Sequence, residues 1–315
     1  MKFCECGCGQ EIKSRANFVP GHDAKLKGRL TRQWREEGQE QALNELRRRN
    51  WIYNADKDER TFGIEIECLV TSKQALLSAL HGRGLQAEIE GYNHQTRPHW
   101  KIVNDGSVNS RRLASQGYTG CELVSPILKG ADGRRQLELA CKALSDVNAK
   151  VNITCGLHVH HGTDDLKLKN FKQLALLYSN FEDQIDQMFA KSRRASRNTY
   201  CQTSKIPSHR VDSLKRCSTV AGIARKINSG CRYTKLNFNS YVQHSTIEFR
   251  QHQGTIEFSK IMNWIEFGQA AIRTAKRGNV ESVTFNSHLV MDVIELDSGR
   301  REFWQNRIAS LAMAA

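Results

Sequence analysis

The chain has 315 residues, 39% of them hydrophobic and 25% charged, which are the proportions of a globular protein with one large or two ordinary domains. No apolar run approaches the length of a membrane span, and Met1-Lys2-Phe3-Cys4 does not begin a signal peptide, so we expect no membrane partner and a cytoplasmic location. The net charge of +14 favours anionic partners such as nucleic acid, nucleotides or acidic small molecules.

Residues 1–30 have few large apolar side chains and cannot form a core by themselves. They contain four potential zinc ligands: Cys4, Cys6, Cys8 and His22. This ligand set predicts a structural Zn²⁺ site whose metal supplies folding energy. The spacing differs from the usual Cys-x₂-Cys, so a disordered tail and reactive free thiols are alternatives. The other cysteines lie in ordinary sequence, as buried thiols of a reducing compartment do.

Residues 31–60 are expected to form a helical linker before the larger domain. The linker begins with a charged helix over 31–50, whose apolar stripe consists of Leu30, Trp34, Ala42, Leu43 and Leu46, and a polar connector follows from Asn54 to Arg60. Four cations just beyond the cysteine and histidine residues, Lys25, Lys27, Arg29 and Arg32, are candidate contacts to nucleic acid. A solvated basic face explains these cations equally well.

The domain over 61–315 combines strands and helices in an irregular order. Strands are predicted over 61–69, 85–91, 99–104, 119–125, 151–161, 232–241 and 245–253, and helices over 73–81, 133–148, 167–190, 257–276 and 300–312. The strands lack βαβ spacing, and 232–253 has the pattern of a hairpin that turns near Gln243-His244. The pattern therefore predicts an α+β fold with a mostly antiparallel sheet and helices on its outer face.

Three of these strands carry polar side chains two residues apart inside an apolar run: Glu65 and Glu67, His158 and His160, and Glu248 and Arg250. Residues two apart project from the same face of a strand, so each pair faces one side of the sheet while Ile, Val and Phe fill the other. Charges on an inner face are costly unless a partner or a metal compensates them. The pattern indicates a site for divalent cations and phosphate.

Glu122, in another short apolar run, adds a further carboxylate to this set. Four carboxylates with the His158 imidazole suit Mg²⁺ or Mn²⁺ better than Zn²⁺. They exceed what one Mg²⁺ needs, which favours two ions that bridge a triphosphate, with Arg250 neutralising charge on the transferred group. Taken singly, each pair is also explained as an exposed strand face, a core histidine or a surface ion pair.

Residues 191–216 contain eight Lys or Arg residues and a single acid, Asp212, without hydrophobic periodicity. A helix with solvated charges is one explanation of this segment. Pro207 and the neighbouring Ser and Thr residues favour a flexible basic loop, long enough to act as a lid over a site.

Five motifs follow one another along the chain: Phe62-Gly-Ile-Glu-Ile-Glu67, Asp105-Gly-Ser107, Cys121-Glu-Leu-Val-Ser-Pro-Ile127, Gly156-Leu-His-Val-His-His-Gly162, and Leu236-Asn237 followed by Thr246-Ile-Glu-Phe-Arg250. This ordered series resembles the amidoligase branch of the glutamine synthetase and glutamate–cysteine ligase superfamily, over about residues 61–275. The resemblance implies a curved, mostly antiparallel sheet of glutamine synthetase-like type. It also implies an ATP-dependent carboxylate–amine ligase, which phosphorylates a carboxylate and lets an amine displace phosphate.

The resemblance further implies roles for individual residues. Those that match its metal ligands are Glu65, Glu67, Glu122, His158 and Glu248. His160 matches a histidine that faces the nucleotide phosphates, and Arg250 an arginine near the carboxylate or phosphoryl group. Asp105 matches a substrate-side element. An arginine-bearing segment that closes over the site is matched by Arg193, Arg194 and Arg197, and the cysteine segment resembles small Cys/His metal-binding segments of phage-type proteins.

Two functions from other classes compete with the ligase. A nucleic-acid-binding zinc protein would explain the net charge and the cysteines, but it leaves the acidic strand residues unexplained. A metal-dependent hydrolase would use the same carboxylates and histidines, although no general base stands out. The resembled fold also hosts phosphagen-type kinases. For the ligase, the expected substrates are a carboxylate and an amine, supplied by an amino acid, a peptide or a modified macromolecule.

Overall fold

The structure is a computed structural model that describes residues 2–12, 16–37, 39, 41–42, 45–46, 49, 60–278, 280, 289–294 and 296–313. The chain divides into two compact units, Met1–Lys57 and Asp58–Ala315. Among the described residues, no helix combines the length and the apolar composition that a membrane span requires.

The first unit contains a short antiparallel bridge between Phe3 and Glu11, followed by helix α1 (His22–Glu37). Asp23 in the first turn of α1 complements the positive end of the helix dipole. Among the described residues of this unit, the apolar core consists of Cys4, Cys6, Leu26, Leu30, Ala42 and Leu46. Helix α1 runs across residue 30, where the sequence placed the border between the cysteine segment and the helical linker. The side chain of Trp34, Leu43 and the connector at 54–59 lie outside the described residues.

The second unit is an α+β fold. Its elements, in chain order, are β1 (Phe62–Val70), α2 (Lys73–Gly82), β2 (Ala87–Ile89), β3 (Trp100–Asn104), α3 (Arg111–Ala114), β4 (Thr119–Val124), α4 (Gly130–Asp146), β5 (Gly156–Gly162), α5 (Leu168–Gln187), α6 (Ser208–Lys215), α7 (Val220–Lys226), β6 (Leu236–Asn237), α8 (Ser240–His244), β7 (Thr246–Gln253), α9 (Phe258–Arg277), α10 (Val290–Val293) and α11 (Ser298–Met313). Short 3₁₀ turns occupy Lys191–Arg193 and Asn228–Gly230.

The seven strands form one open sheet in the order β2-β3-β4-β1-β5-β7-β6. All neighbouring pairs are antiparallel except β2 and β3, which are parallel. The mostly antiparallel sheet and the α+β class predicted from the sequence are therefore confirmed. The four consecutive strands β4, β1, β5 and β7 carry the acidic and histidine motifs.

The two faces of the sheet differ in polarity because side chains alternate along each strand. On one face, Ile64, Ile66 and Val159 belong to a continuous apolar core that helices α2, α4, α5 and α9 complete. Phe249 of β7 illustrates the packing, since its ring lies 5.8 Å from Trp264 of α9 and 6.0 Å from Tyr178 of α5. The polar side chains that alternate with these apolar residues along the strands lie on the opposite face.

Several predicted elements differ from the structure. The strand at 151–161 begins only at Gly156, and the hairpin at 232–253 has one long strand, because its first half holds only the two-residue β6 and the short helix α8. Thr234, just before β6, bridges to Gln202. The predicted loop at 191–216 is wrong at its end, where residues 208–215 form α6.

Candidate active site

The strand register places the predicted acidic and histidine residues side by side on one face. Glu67 pairs with Glu122, Glu65 with His158, and His160 with Glu248. Residues directly opposite each other in an antiparallel ladder point to the same face. All six side chains therefore converge across β4, β1, β5 and β7, as the i, i+2 spacing predicted.

Two imidazoles lie between the carboxylates of this face. His158 Nδ1 lies 2.9 Å from Glu65 Oε2 and 3.6 Å from Glu248 Oε1, while its Nε2 lies 3.6 Å from Glu67 Oε1. His160 Nε2 lies 3.2 Å from Glu65 Oε1 and 3.8 Å from Glu248 Oε1. The side chains thus lie near enough to share cations.

Three overlapping groups of side chains could each hold a metal ion, with ligand atoms within 4.8 Å of one another. They are Glu65, His160 and Glu248; Glu65, Glu122 and His158; and Glu67, Asp105 and Glu122. The donors are carboxylate oxygens with at most one imidazole nitrogen, which fits Mg²⁺ or Mn²⁺. Asp105 lies among these ligand groups, whereas the sequence placed it on the substrate side. His160 is likewise a potential metal ligand in addition to its expected role toward phosphate.

The electrostatics of the cluster are those of a site with excess negative charge. Burial raises the pKa of Glu122, and repulsion from Glu65 and Glu67 raises it further, to well above its ordinary value. Burial also opposes ionisation of Glu65, but His160 and His158 outweigh it and hold the pKa of Glu65 well below its ordinary value. A cation bound at the cluster would offset the repulsion between Glu122 and the ionised carboxylates beside it, and would favour ionisation of Glu122.

Two arginines reach this cluster. Arg250 donates to Glu248 Oε1, and its guanidinium lies 5.8 Å from the Tyr233 ring centroid. Burial opposes the charged form of Arg250, but Glu248 and Glu65 raise its pKa above its ordinary value. Arg193 is buried, donates from Nη2 to the Cys155 carbonyl, and has no hydrogen-bond partner for Nε among the described residues. A buried guanidinium with spare donors suits an anionic ligand.

The other two predicted arginines lie elsewhere. Arg194 donates to the Phe189 carbonyl and to Gln187 Oε1 of α5, at 2.9 and 3.2 Å. Arg197 is exposed and does not line the clefts described below. Of the three arginines assigned to closing over the site, the structure brings only Arg193 to it.

The cluster lies where two clefts adjoin. The first has a volume of about 1070 Å³ and is lined by the acidic residues together with Arg193, Arg232 and Arg250. The second, of about 980 Å³, is more apolar and runs over Ile64, Val124, Pro126 and Ile127. Five side chains line both clefts: Glu65, His94, Glu122, His160 and His244.

The structure also brings in residues that the sequence reasoning missed. Lys101 on β3 is buried in the second cleft, and its Nζ lies 2.9 Å from Asn93 Oδ1 and 2.8 Å from the Gln95 carbonyl. It thereby anchors the loop that brings Tyr92 and His94 to the clefts. A lone cation in the apolar run Trp100-Lys101-Ile102-Val103 was a usable signal, of the same kind as the glutamates. The loop residues themselves carry no periodic pattern.

Asn237 was also missed as a site residue, although its strand was part of the motif series. It pairs with Glu248 in the ladder, and its Nδ2 donates to Glu248 Oε2 at 2.7 Å. Thr246 holds His160 in a similar way, with its Oγ1 2.9 Å from His160 Nδ1. These contacts fix the orientation of potential metal ligands.

In the first unit, the predicted zinc ligands Cys4, Cys6, Cys8 and His22 also come together, with one ligand atom of each within 4.8 Å of the others. This group is rich in sulfur, unlike the oxygen-rich cluster of the second unit.

The comparisons with known proteins agree with the geometry of the second unit. The sequence model of a family described as "Putative amidoligase enzyme" matches residues 58–272, which is more than half of the chain. A search of curated proteins found no match. The matched range contains every strand of the sheet and all of the clustered acidic residues. The chain therefore belongs to the amidoligase family, whose members are ligases that form amide bonds.

Proposed function

We propose that the chain is an ATP-dependent ligase that joins a carboxylate to an amine through an acyl-phosphate intermediate, with release of ADP and phosphate. The observation that carries the proposal is the convergence of five carboxylates, two imidazoles and two arginines where two clefts adjoin. A ligase of this kind must bring a triphosphate and a second anion to the same cations, and two adjoining clefts offer each a separate entry.

The proposed cations are Mg²⁺ or Mn²⁺, held by Glu65, Glu67, Glu122, His158 and Glu248, with Asp105 as an additional ligand. When bound, such ions neutralise the triphosphate and polarise the transferred phosphoryl group. Asn237 and Thr246 keep the ligating side chains oriented. The excess of carboxylates over what one ion needs supports a site for two ions.

Charge on the reacting groups is stabilised by the two arginines and by His160. Arg250 is largely buried and held by Glu248, and a fixed cation shielded from water stabilises developing negative charge more strongly than one in water. Arg193 has a spare donor for a phosphate oxygen. Burial opposes protonation of His160, but Glu248 and Glu65 raise its pKa, which favours a positive imidazole beside phosphate.

The reaction has two steps in this scheme. The substrate carboxylate oxygen attacks the γ-phosphorus, the bond to ADP breaks, and the acyl phosphate forms. The amine nitrogen then attacks the acyl carbon, the bond to the phosphate oxygen breaks, and an amide and phosphate remain, with one proton released per ammonium substrate consumed. Water must be kept out between the steps, since it would hydrolyse the acyl phosphate.

The competing functions have less support. Phosphates of a nucleic acid would be repelled by the acidic face unless cations intervened. A hydrolase would use the same cations but has no need of a second cleft or of a spare buried guanidinium. The candidate sources of the acid and the amine are amino acids, peptides and modified macromolecules.

The test incubates the full chain with Mg²⁺-ATP and pools of amino acids and peptides. We expect ADP and phosphate in equal amounts and, by mass spectrometry, a product one water lighter than the sum of its two parents. Release of AMP and pyrophosphate would contradict the acyl-phosphate route. If phosphate is released but no pool yields a condensation product, the result would favour the hydrolase.

A further inference from the structure

In the first unit, the thiols of Cys4, Cys6 and Cys8 lie close to the imidazole of His22. None of these four residues is among those assigned to the ligase reaction. His22 Nδ1 lies 3.3 Å from Cys6 Sγ, 3.4 Å from Cys8 Sγ and 3.8 Å from Cys4 Sγ. Cys4 Sγ and Cys6 Sγ are 3.4 Å apart. Separations of this size are those expected between ligand atoms placed around one small ion at 2.0–2.3 Å from each.

The local backbone explains how residues so close in sequence converge. The bridge between Phe3 and Glu11 folds the segment back on itself, and the Gly7 N–H closes a turn by donating to the Cys4 carbonyl at 3.1 Å. Gly7 and Gly9 have φ angles of +80° and +74°, which a residue without a side chain adopts readily. His22 is the first residue of α1, so the cluster joins this turn to the helix.

We propose that Cys4, Cys6, Cys8 and His22 bind one Zn²⁺ in a closed structural site. Three thiolates and one imidazole complete the tetrahedral coordination that Zn²⁺ prefers, and no position is left open for a substrate or a reactive water. The ion is therefore a structural element of the first unit rather than part of the ligation site. Sulfur donors also separate this site from the cleft, whose oxygen donors select Mg²⁺ or Mn²⁺.

The size of the first unit supports a structural role. Among its described residues, the core has four buried aliphatic side chains besides two of the thiols, with Ile12, Phe18 and Val19 packed at its margin. A core of this size is too small to stabilise a unit of 57 residues comfortably, and small domains of this kind commonly depend on a metal. Both buried thiols belong to this core, whereas Cys8 is exposed, so the proposed ion would lie at its edge.

The alternative of reactive free thiols makes a different prediction. Free thiols beside one another would oxidise or react with a thiol reagent, whereas zinc-bound thiolates are protected until the metal is removed. The proposal therefore predicts that the three thiols react slowly in the full chain and rapidly after a strong chelator is added.

The test measures metal in the full-length protein, purified without added metal, by mass spectrometry of the elements. We expect close to one zinc per chain in the parent, and loss of most of it in Cys8→Ser and His22→Ala. The matched control is Cys217→Ser, which removes a thiol of the second unit whose Sγ donates only to the Ser213 carbonyl. Glu65→Gln should also keep its zinc, because it changes only the cleft.

Cobalt substitution gives a second readout that does not depend on whether a variant folds less well. Co²⁺ in the parent should show the visible bands of tetrahedral coordination by three sulfurs and one nitrogen. His22→Cys should keep the metal and shift these bands toward those of four sulfurs. Absence of zinc from the folded parent, together with an octahedral Co²⁺ spectrum, would overturn the proposal. Neither result depends on ATP turnover, so failure here leaves the ligase proposal intact.

Discussion

Glu65 lies at the centre of the contacts among the acidic and histidine residues of the candidate site. It contacts both imidazoles, belongs to two of the three groups of potential metal ligands, and lines both clefts. Its pKa is held low by His160 and His158 despite burial, so it is ionised throughout the neutral range and ready to bind a cation. A neutral side chain of the same shape would remove this charge without opening a cavity.

We therefore expect Glu65→Gln to reduce ATP turnover about 100-fold or more, since even the partners of metal ligands are worth 10–100-fold. The measurement is ADP release in the presence of the substrate pools, with thermal unfolding to check that the fold is kept. Glu138→Gln is the control, because Glu138 lies on the surface of α4 and pairs only with Lys142 in the described part of the chain. Turnover by Glu65→Gln at the parental rate would remove the site assignment.

Glu122 differs from Glu65 in the direction of its pKa shift, and this difference leads to a prediction about stability. Its pKa is raised by burial and by Glu65, Glu67 and Asp105, so ionising it costs free energy in the folded chain that it does not cost in the unfolded chain. A group of this kind is harmless to stability below its unfolded pKa and becomes destabilising as the pH rises above it. Glu122→Gln should thus stabilise the protein in Mg²⁺-free buffer at neutral pH, by about 1 kcal/mol or more.

The measurement is thermal unfolding of both proteins at several pH values, with and without Mg²⁺. The difference between them should shrink toward pH 4, where Glu122 is protonated in both states, and Mg²⁺ should stabilise the parent more than the variant. A variant that is less stable than the parent in Mg²⁺-free buffer at pH 7 would show that Glu122 is not strained by like charges.

At the scale of elements, a buried ionic network ties the basic segment to the core. Lys235 Nζ, which is fully buried, lies 2.7 Å from Glu182 Oε1 and 2.5 Å from Asp186 Oδ1, both on α5. Glu182 also accepts from the Ser204 N–H at 2.7 Å, and Asp186 from the Ala195 N–H at 2.7 Å. The network therefore holds the backbone around Arg193, which is the buried arginine of the site.

Lys235→Met should destabilise the second unit by about 3–5 kcal/mol, because it leaves two carboxylates buried without their cation. This corresponds to a fall of roughly 6–20 °C in the unfolding temperature. Lys205→Met is the matched control, since Lys205 pairs with Asp183 on the exposed side of the same helix and an exposed pair contributes about 0–1 kcal/mol. Equal effects of the two substitutions in thermal unfolding would contradict the assigned role.

The elements that sequence predicted well are those whose periodicity is long and whose burial is one-sided. Strand β1 and helices α5 and α9 are of this kind, and the i, i+2 pairs on β1, β5 and β7 predicted the shared face of the site. What failed depends on contacts from elsewhere in the chain. Strand β6 has only two residues, and the neighbouring Thr234 bridges to Gln202, a partner distant in the sequence that no local pattern reveals.

The same distinction holds within the site. Glu65, Glu67, Glu122, His158 and Glu248 stand in apolar runs, so their charge was conspicuous in the sequence. Arg193, Arg194 and Arg197 lie in one basic stretch, and their individual directions depend on tertiary packing, which turns Arg194 toward α5. The place of Asp105 among the potential metal ligands likewise depends on tertiary packing, since it lies in the turn after β3.

At the scale of the whole molecule, the chain has a net charge of +14, whereas several carboxylates line the first cleft. The nucleic-acid-binding alternative takes this charge to be a binding surface for phosphates. If it is right, duplex DNA should bind with an affinity that falls steeply with salt, without ATP, and equally well to Glu65→Gln. If no binding to DNA is detected at about 50 mM salt, where electrostatic attraction is strong, that alternative is ruled out.

The ligase proposal gives the same charge another use, which is the capture of anionic substrates. A positive field raises the rate at which an anion arrives, and salt screens it, since the Debye length is about 10 Å at 0.1 M. We expect the association rate of a fluorescent Mg²⁺-ADP analogue, measured by stopped flow, to fall about tenfold between about 20 and 300 mM NaCl. The dissociation rate should change little, because the bound phosphates contact buried groups that salt screens weakly.

A pair of variants separates local from global attraction. Arg232 is exposed and lines the first cleft, whereas Arg135 is exposed on helix α4, which packs on the apolar face of the sheet. Arg232→Gln should slow association more than Arg135→Gln, because field lines from a charge at the cleft focus on the entering anion. An association rate that does not respond to salt in the parent would show that the excess positive charge serves some purpose other than substrate capture.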